Sequence, residues 1–210
     1  MRLFRDFMTS FTGAMKFGRD ANHTLLEEDG TMVAVGDATC WDDLTNSLAG
    51  RRLASSAGSV DYNWAENCIT FSGSGDITDD NDKVILNLQK PHGAKTDSVT
   101  HFHIHWEQTD ATDREFTVRY RIQGNGEAKT TAWTTVVVTA NATSNAFTYT
   151  SGTLNQITRL VDIDWSTAPL SSTVQIQFTR SDAVAGTVNV VFADSHVEYN
   201  MLGSRQEFVK

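Results

Sequence analysis

The sequence predicts an all-β protein, an antiparallel β-sandwich of jelly-roll type with a short N-terminal helical arm. The 210 residues include 27 threonines but only 2 prolines, and β-branched residues favour strands. Apolar and polar residues alternate in short segments such as 116–121 and 174–179, which is typical of antiparallel sheets with one solvated face. Clusters of Gly, Asn, Asp and Ser separate these segments without intervening helical patterns, and this favours a sandwich.

Residues 1–22 are predicted to form a helical docking arm. Apolar side chains recur there at spacings of three and four, which places them on one face of a helix. They are Leu3, Phe4, Phe7, Met8, Phe11 and Met15. The first 20 residues carry four basic and two acidic side chains, whereas the whole chain has a net charge of −9. We expect this basic, apolar arm to contact a neighbouring subunit; the alternative is that it packs on its own domain.

Residues 23–59 are predicted to form a hairpin followed by a connector. Two strand-like runs flank Asp29 and Gly30, a dipeptide that supplies the positive φ angles of a tight turn. The segment 38–44 is interpreted as a short helical or irregular connector, and the small residues of 50–60 as a loop.

Residues 60–210 are predicted to form the β-sandwich domain. The candidate strands are 68–71, 84–89, 99–106, 115–122, 133–139, 146–149, 156–163, 173–180 and 188–199. The residues expected on inner faces are Phe116, Val118, Tyr120, Val174, Ile176 and Phe178.

Charge and hydropathy exclude several classes of partner. No apolar run approaches the ~18–20 residues needed to span a bilayer, so no membrane contact is expected. The net charge of −9 and the pI near 5.0 argue against a nucleic-acid partner, which requires a basic face. Charges interrupt the N-terminal apolar residues, so we expect no signal peptide. Synthesis in a reducing cytoplasm follows, with Cys40 and Cys68 reduced.

The strongest local signal is the run His-Phe-His-Ile-His-Trp-Glu at 101–107. On a strand, His101, His103 and His105 share one face, and Phe102, Ile104 and Trp106 share the other. His101, His103 and Glu107 resemble the H-x-H-x3-E core of cupins, but the second half of the cupin pattern is missing. The candidate metal ligands are His101, His103, His105, Glu107 and His196. We favour structural or interface histidines and predict no metal and no cofactor.

No catalytic residue is predicted. The chain has no G-x-S-x-G motif, no cysteine–histidine signal and no glycine-rich phosphate loop. The acidic segment 76–82 lacks the ligand spacing of an EF-hand and is interpreted as a solvated loop. A carboxylate pair for glycoside chemistry stays open, because two acids on any neighbouring strands would serve.

Three stretches resemble a family of tailed-bacteriophage virion structural proteins: Gly-Asp-Ala-Thr-Cys-Trp-Asp-Asp at 36–43, Val-Thr-His-Phe-His-Ile-His-Trp at 99–106, and Met-Leu-Gly-Ser-Arg-Gln-Glu-Phe-Val-Lys at 201–210. The resemblance implies a non-enzymatic, β-rich virion component that decorates the capsid or serves as a tail-associated adaptor. Its implied partners are copies of itself and other virion proteins. The patterned C-terminus adds Leu202, Arg205 and Phe208 to the interface residues expected from the arm.

Two alternatives from other classes stay open. A metal-dependent, cupin-like enzyme would use at least two of the strand histidines. A glycan-binding module would present a solvent-facing aromatic pair in a groove.

Overall fold

The computed structural model describes residues 14–17, 23–28, 31–36, 39–46, 59–95, 97–108, 110, 112–140, 156–169 and 171–200. Thirteen strands lie in these ranges: β1 (Ala14–Phe17), β2 (His23–Glu28), β3 (Thr31–Gly36), β4 (Cys40–Asn46), β5 (Val60–Asn63), β6 (Cys68–Phe71), β7 (Val84–Gln89), β8 (Val99–Gln108), β9 (Arg114–Gln123), β10 (Thr134–Ala140), β11 (Gln156–Asp164), β12 (Thr173–Arg180) and β13 (Val188–Tyr199). None of the described segments is a helix able to cross a membrane.

Strands β6 to β13 form two antiparallel sheets with jelly-roll connectivity. One sheet has the order β10-β9-β12-β7, and the other contains the run β11-β8-β13-β6. Successive strands therefore pass repeatedly from one sheet to the other, as in the two Greek keys of a jelly roll. The predicted all-β antiparallel sandwich is confirmed.

The second sheet is extended by two further strands, one beside β6 and one beside β13. β5 pairs with β6, and β4 pairs with the C-terminal half of β13 from Ala193 to Tyr199. The prediction of a helical or irregular connector at 38–44 is wrong, because Cys40–Asn46 form a strand. β13 is 12 residues long and β6 covers only its first three residues, so β4 pairs with backbone that β6 leaves uncovered.

A separate three-stranded sheet with the order β1-β2-β3 precedes the sandwich. The pairing of Glu28 with Thr31 leaves Asp29 and Gly30 as the connection, which confirms the predicted hairpin. The predicted helix is wrong at its C-terminal end, because Ala14–Phe17 pair with β2 as a strand. Backbone pairing with a neighbouring strand here prevails over a helical apolar spacing. The rest of the predicted helical face, 1–13, lies outside the described residues.

The core fills the space between the two sheets. Phe102, Ile104 and Trp106 of β8 are fully buried, as predicted. The Phe178 ring of β12 lies 6.0 Å from the rings of Phe71 and Phe102, measured between centroids. The six residues predicted on inner faces all belong to this core or pack against it. The two sheets are thus held together by side chains whose positions follow from strand alternation.

Two buried arginines close one end of the sandwich. Arg180 donates hydrogen bonds to both carboxylate oxygens of Asp182, at 2.6 to 3.0 Å. Arg114 donates to Gln108 and Asp110 at 2.5 and 2.7 Å, and its Nη1 lies 3.5 Å from Asp182. Burial would raise the pKa of Asp182, but its hydrogen bonds outweigh burial and lower it. The two arginines, Asp182 and the half-exposed Asp110 form one charge-compensated cluster.

Candidate functional site

The outer face of the four-stranded sheet carries a row of planar polar side chains, which we call the arginine face. Its members are Asn87 of β7, Arg119 and Arg121 of β9, Gln175 and Gln177 of β12, and Trp133 immediately before β10. Strand alternation puts the buried residues Phe116, Val118, Val174 and Ile176 on the opposite, core side. The arginine face is therefore a direct product of the period-two pattern in β9 and β12.

Hydrogen bonds across the strands fix the orientation of this row. Arg119 Nε donates to Gln177 Oε1 at 2.7 Å, and Arg121 Nη2 donates to Gln175 Oε1 at 2.7 Å. Gln175 Nε2 in turn donates to Asn87 Oδ1 at 3.3 Å. Each arginine also retains further N–H groups, since a guanidinium has five donors. The face thus presents pre-oriented donors and acceptors across three strands.

Trp133 lies against both guanidinium groups. The Cζ atoms of Arg119 and Arg121 are 4.7 and 4.4 Å from the centre of its ring. Cation–π attraction at such distances holds the ring over the two arginines. The indole is half-buried, so an apolar flat surface stands next to the polar row.

Two depressions adjoin the arginine face. One, of about 230 Å³, is lined by Asn87, Arg121, Gln123, Lys129, Thr173 and Gln175. The other, of about 340 Å³, is lined by Leu44, Thr45 and residues 87–92. Asn87 lines both, so the two depressions lie next to each other at β7.

A second aromatic pair lies where β5 leads into the turn toward β6. The rings of Tyr62 and Trp64 meet edge to face with centroids 4.5 Å apart. Trp64 is 82% exposed, and the Tyr62 hydroxyl is hydrogen-bonded to Asn67. The glycan-binding alternative calls for a solvent-facing aromatic pair in a groove, whereas here Tyr62 of β5 packs partly against the core, Trp64 alone faces solvent, and neither residue lines either depression.

The outer face of the six-stranded sheet carries the histidine strand, β8. The prediction that Phe102, Ile104 and Trp106 form the buried side is confirmed, and the histidines lie on the other side among polar groups. His101 Nδ1 lies 2.8 Å from Asp162 Oδ1, and the His101 ring stacks on Trp41 of β4 at 5.1 Å between centroids. Glu107 Oε1 accepts a 3.4 Å hydrogen bond from Asn189. His101 and Glu107 are thus engaged separately from the other candidates.

His103 and His196 come together on this face, with ring centroids 4.2 Å apart. They are joined by Asp194, and one ligand atom from each of the three residues lies within 4.8 Å of the others. His103 is only 1% exposed. Burial, together with the nearby His196, lowers the pKa of His103 to about 4, so its imidazole is neutral at pH 7. His105 Nε2 lies 3.7 Å from Asp194 Oδ2.

Sequence reasoning missed Asp194 and the arginine face. Asp194 is two residues from His196 and therefore lies on the same face of β13. This spacing would have been enough to include Asp194 among the candidate ligands. The arginine face gave a weaker signal, because alternating Arg and Gln on strands is also the ordinary pattern of a solvated sheet face. The predicted interface positions Leu3, Phe4, Phe7, Phe11, Leu202, Arg205 and Phe208 lie outside the described residues, and of Met15 only the strand backbone is described.

No protein-family model matches the sequence, and no curated protein matches it. Solved structures to which the chain is similar include a xylan-binding module named CBM15, with 12% identity, a TM-score of 0.39, and coverage of 74% of this chain and 96% of that one. A family 30 carbohydrate-binding module of a cellulosomal cellulase of Clostridium thermocellum has 11% identity, a TM-score of 0.38, and coverage of 73% and 96%. A third structure, titled "CBM4 structure and function", has 17% identity, a TM-score of 0.33, and coverage of 74% and 86%. These likenesses are remote.

Proposed function

We propose that this protein is a non-catalytic saccharide-binding β-sandwich that uses the arginine face as its binding surface. The observation that carries the proposal is Trp133, which lies over Arg119 and Arg121 beside a groove lined by polar side chains. The Trp133 indole offers a flat apolar surface to the C–H face of a sugar ring.

The chemistry around Trp133 suits hydroxyl groups. Guanidinium and carboxamide groups are planar and present neighbouring donors and acceptors, so each can engage two adjacent hydroxyls of a sugar. The hydrogen bonds among Arg121, Gln175 and Asn87 orient these groups before a ligand arrives, which lowers the ordering cost of binding. An open groove rather than a closed cavity favours a chain of several sugar units.

The experiment is affinity electrophoresis of the full chain in gels that contain soluble neutral and acidic polysaccharides, followed by calorimetry with oligosaccharides of the retarding polymer. We expect at least one polysaccharide to retard the protein. Trp133→Ala should weaken binding at least about tenfold, since loss of a central aromatic contact costs ~1.4 kcal/mol or more.

Two matched controls use tryptophans elsewhere on the molecule. Trp41→Ala removes an exposed indole from the other sheet, and Trp64→Ala removes the indole of the β5–β6 turn. Both should bind like the unsubstituted protein. Retention of full binding by Trp133→Ala would exclude the arginine face, and loss of binding in Trp64→Ala alone would move the site to the aromatic pair.

A structural role in a tailed-phage virion is the second candidate, and the motifs at 36–43, 99–106 and 201–210 favour it. The two roles are compatible, because a virion protein with a saccharide-binding face could contact host-surface glycans. Mass spectrometry of purified particles tests the virion role directly. Detection of the chain at a symmetric copy number would support it, and its absence from particles made by cells that express it would contradict it.

A further inference from the structure

The geometry on the outer face of the six-stranded sheet points to a site for a divalent transition-metal ion, held by His103, Asp194 and His196. The three side chains come from β8 and β13, which pair antiparallel with His103 opposite Asp194 and His101 opposite His196. A ligand atom from each residue lies within 4.8 Å of the other two. Metal–ligand bonds of ~2.0–2.2 Å bring ligand atoms somewhat closer than this, so small side-chain rotations would complete the site.

The buried carboxylate is the independent observation that calls for a cation. Asp194 is 3% exposed, and no group in the described part of the chain forms a hydrogen bond with its Oδ1. Its Oδ2 lies 3.7 Å from His105 Nε2 and 3.8 Å from His196 Nε2, and both separations exceed hydrogen-bond length. Because an ionised carboxylate in such a place is costly without a partner, a bound cation would stabilise it.

The surrounding charges favour a cation over an anion. Asp43 Oδ1, from β4, lies 3.0 Å from His196 Nε2 and is the acidic group best placed to become a fourth ligand. Arg159 is a positively charged side chain near the site, because it is the strand partner of His103 on β11. Its guanidinium is paired with Asp162, which neutralises it. The local balance is therefore negative.

The donor set selects the class of metal. Two imidazole nitrogens and one carboxylate oxygen suit Zn²⁺, Co²⁺, Ni²⁺ or Fe²⁺, whereas Ca²⁺ and Mg²⁺ prefer oxygen ligands alone. A bound ion would link β8 to β13 and, through Asp43, to β4. The site lies on the sheet opposite the arginine face, so it is independent of the proposed saccharide site.

The test is calorimetric titration of the full chain, stripped with EDTA and dialysed, with Zn²⁺ and Co²⁺ as separate probes. We expect one equivalent of either metal to bind and to raise the unfolding temperature, because a ligand that binds only the folded state stabilises it. Asp194→Asn and His196→Asn should each weaken binding at least about tenfold, the lower end of the effect seen for support residues of metal sites. His101→Gln is the matched control, since it alters a histidine on the same strand and face outside the triad.

Binding that His101→Gln retains but the triad variants lose supports the site. Absence of binding, binding unaffected by Asp194→Asn, or equal loss in His101→Gln would overturn it. Unfolding temperatures in EDTA show whether each variant is folded. If Asp194→Asn does not fold, the metal affinity of His196→Asn, which alters a half-buried side chain, tests the site instead. Trp133→Ala should bind metal normally, so failure of the saccharide proposal would leave this result unchanged.

Discussion

At the scale of single residues, buried arginines and the carboxylate between them connect several parts of the sandwich. Arg114 and Arg180 are fully buried, and Asp182 is the carboxylate that both approach. Asp182 also accepts hydrogen bonds from the backbone N–H groups of Glu115 and Val184. One side chain thus fixes β9, β12 and the segment that follows β12.

Replacing Asp182 with Asn should destabilise the protein by about 3–5 kcal/mol near pH 7, because it leaves the buried Arg180 without its counter-charge and leaves Arg114 with Asp110 alone. The folded-state pKa of Asp182 is depressed, so the stabilisation is present above its unfolded pKa near 3.9 and is lost as pH falls through the folded pKa. Urea unfolding at pH 7 and at pH 3 measures both effects. The exposed Asp113, changed to Asn, is the control and should shift stability by less than about 0.5 kcal/mol. A loss for Asp182→Asn equal to that of the control would contradict the charge cluster.

At the scale of elements, β4 places side chains against the histidines on the outer face of the six-stranded sheet. It covers the C-terminal half of β13 and brings Trp41 against His101 and Asp43 against His196. Its Leu44 turns the other way and packs against the core. β4 therefore contributes side chains both to the sandwich interior and to the outer face that carries His101 and His196.

Leu44→Asn should cost about 1–3 kcal/mol, because it places a carboxamide against the apolar core. Thr45→Asn, one residue further on, points to the outer face and should cost less than about 0.5 kcal/mol. Urea denaturation of both variants gives the comparison. Equal effects at the two positions would show that β4 does not pack with the alternation described.

At the scale of the whole molecule, the core of the sandwich is formed by residues between Val60 and Val197. Among the described strands, β1, β2 and β3 hydrogen-bond only to one another. In the part of the chain whose side chains the structure describes, every core residue therefore belongs to the sandwich, while the preceding segment carries the apolar arm expected to dock on a neighbour.

A chain that begins at Thr39 should retain a cooperatively folded sandwich. Its unfolding temperature should fall by no more than about 4 °C, the shift expected from ~1 kcal/mol in a domain of this size. Light scattering should report a smaller assembly than for the full chain if the arm docks on another copy. Loss of cooperative unfolding would instead show that residues 1–38 belong to the core of the sandwich.

Most strands of the sandwich, and the side of each that is buried, could be predicted from the amino-acid sequence, because alternation is a local property that each segment carries alone. Strands β6, β7, β12 and β13 have the predicted bounds, and the buried side of β8 is the predicted one. β4 was not predicted, because its Cys-Trp-Asp-Asp run has no apolar alternation. This segment forms a strand by pairing with β13.

Which strand faces meet could not be predicted from the sequence. Asp194 reaches His103 across β13 and β8, and Arg121 reaches Gln175 across β9 and β12. Each pair is separated by more than 50 residues in the sequence. Their approach depends on strand order and register, which are set by the packing of the complete sandwich. A slip of one residue in the register would turn these side chains to the other face of the sheet.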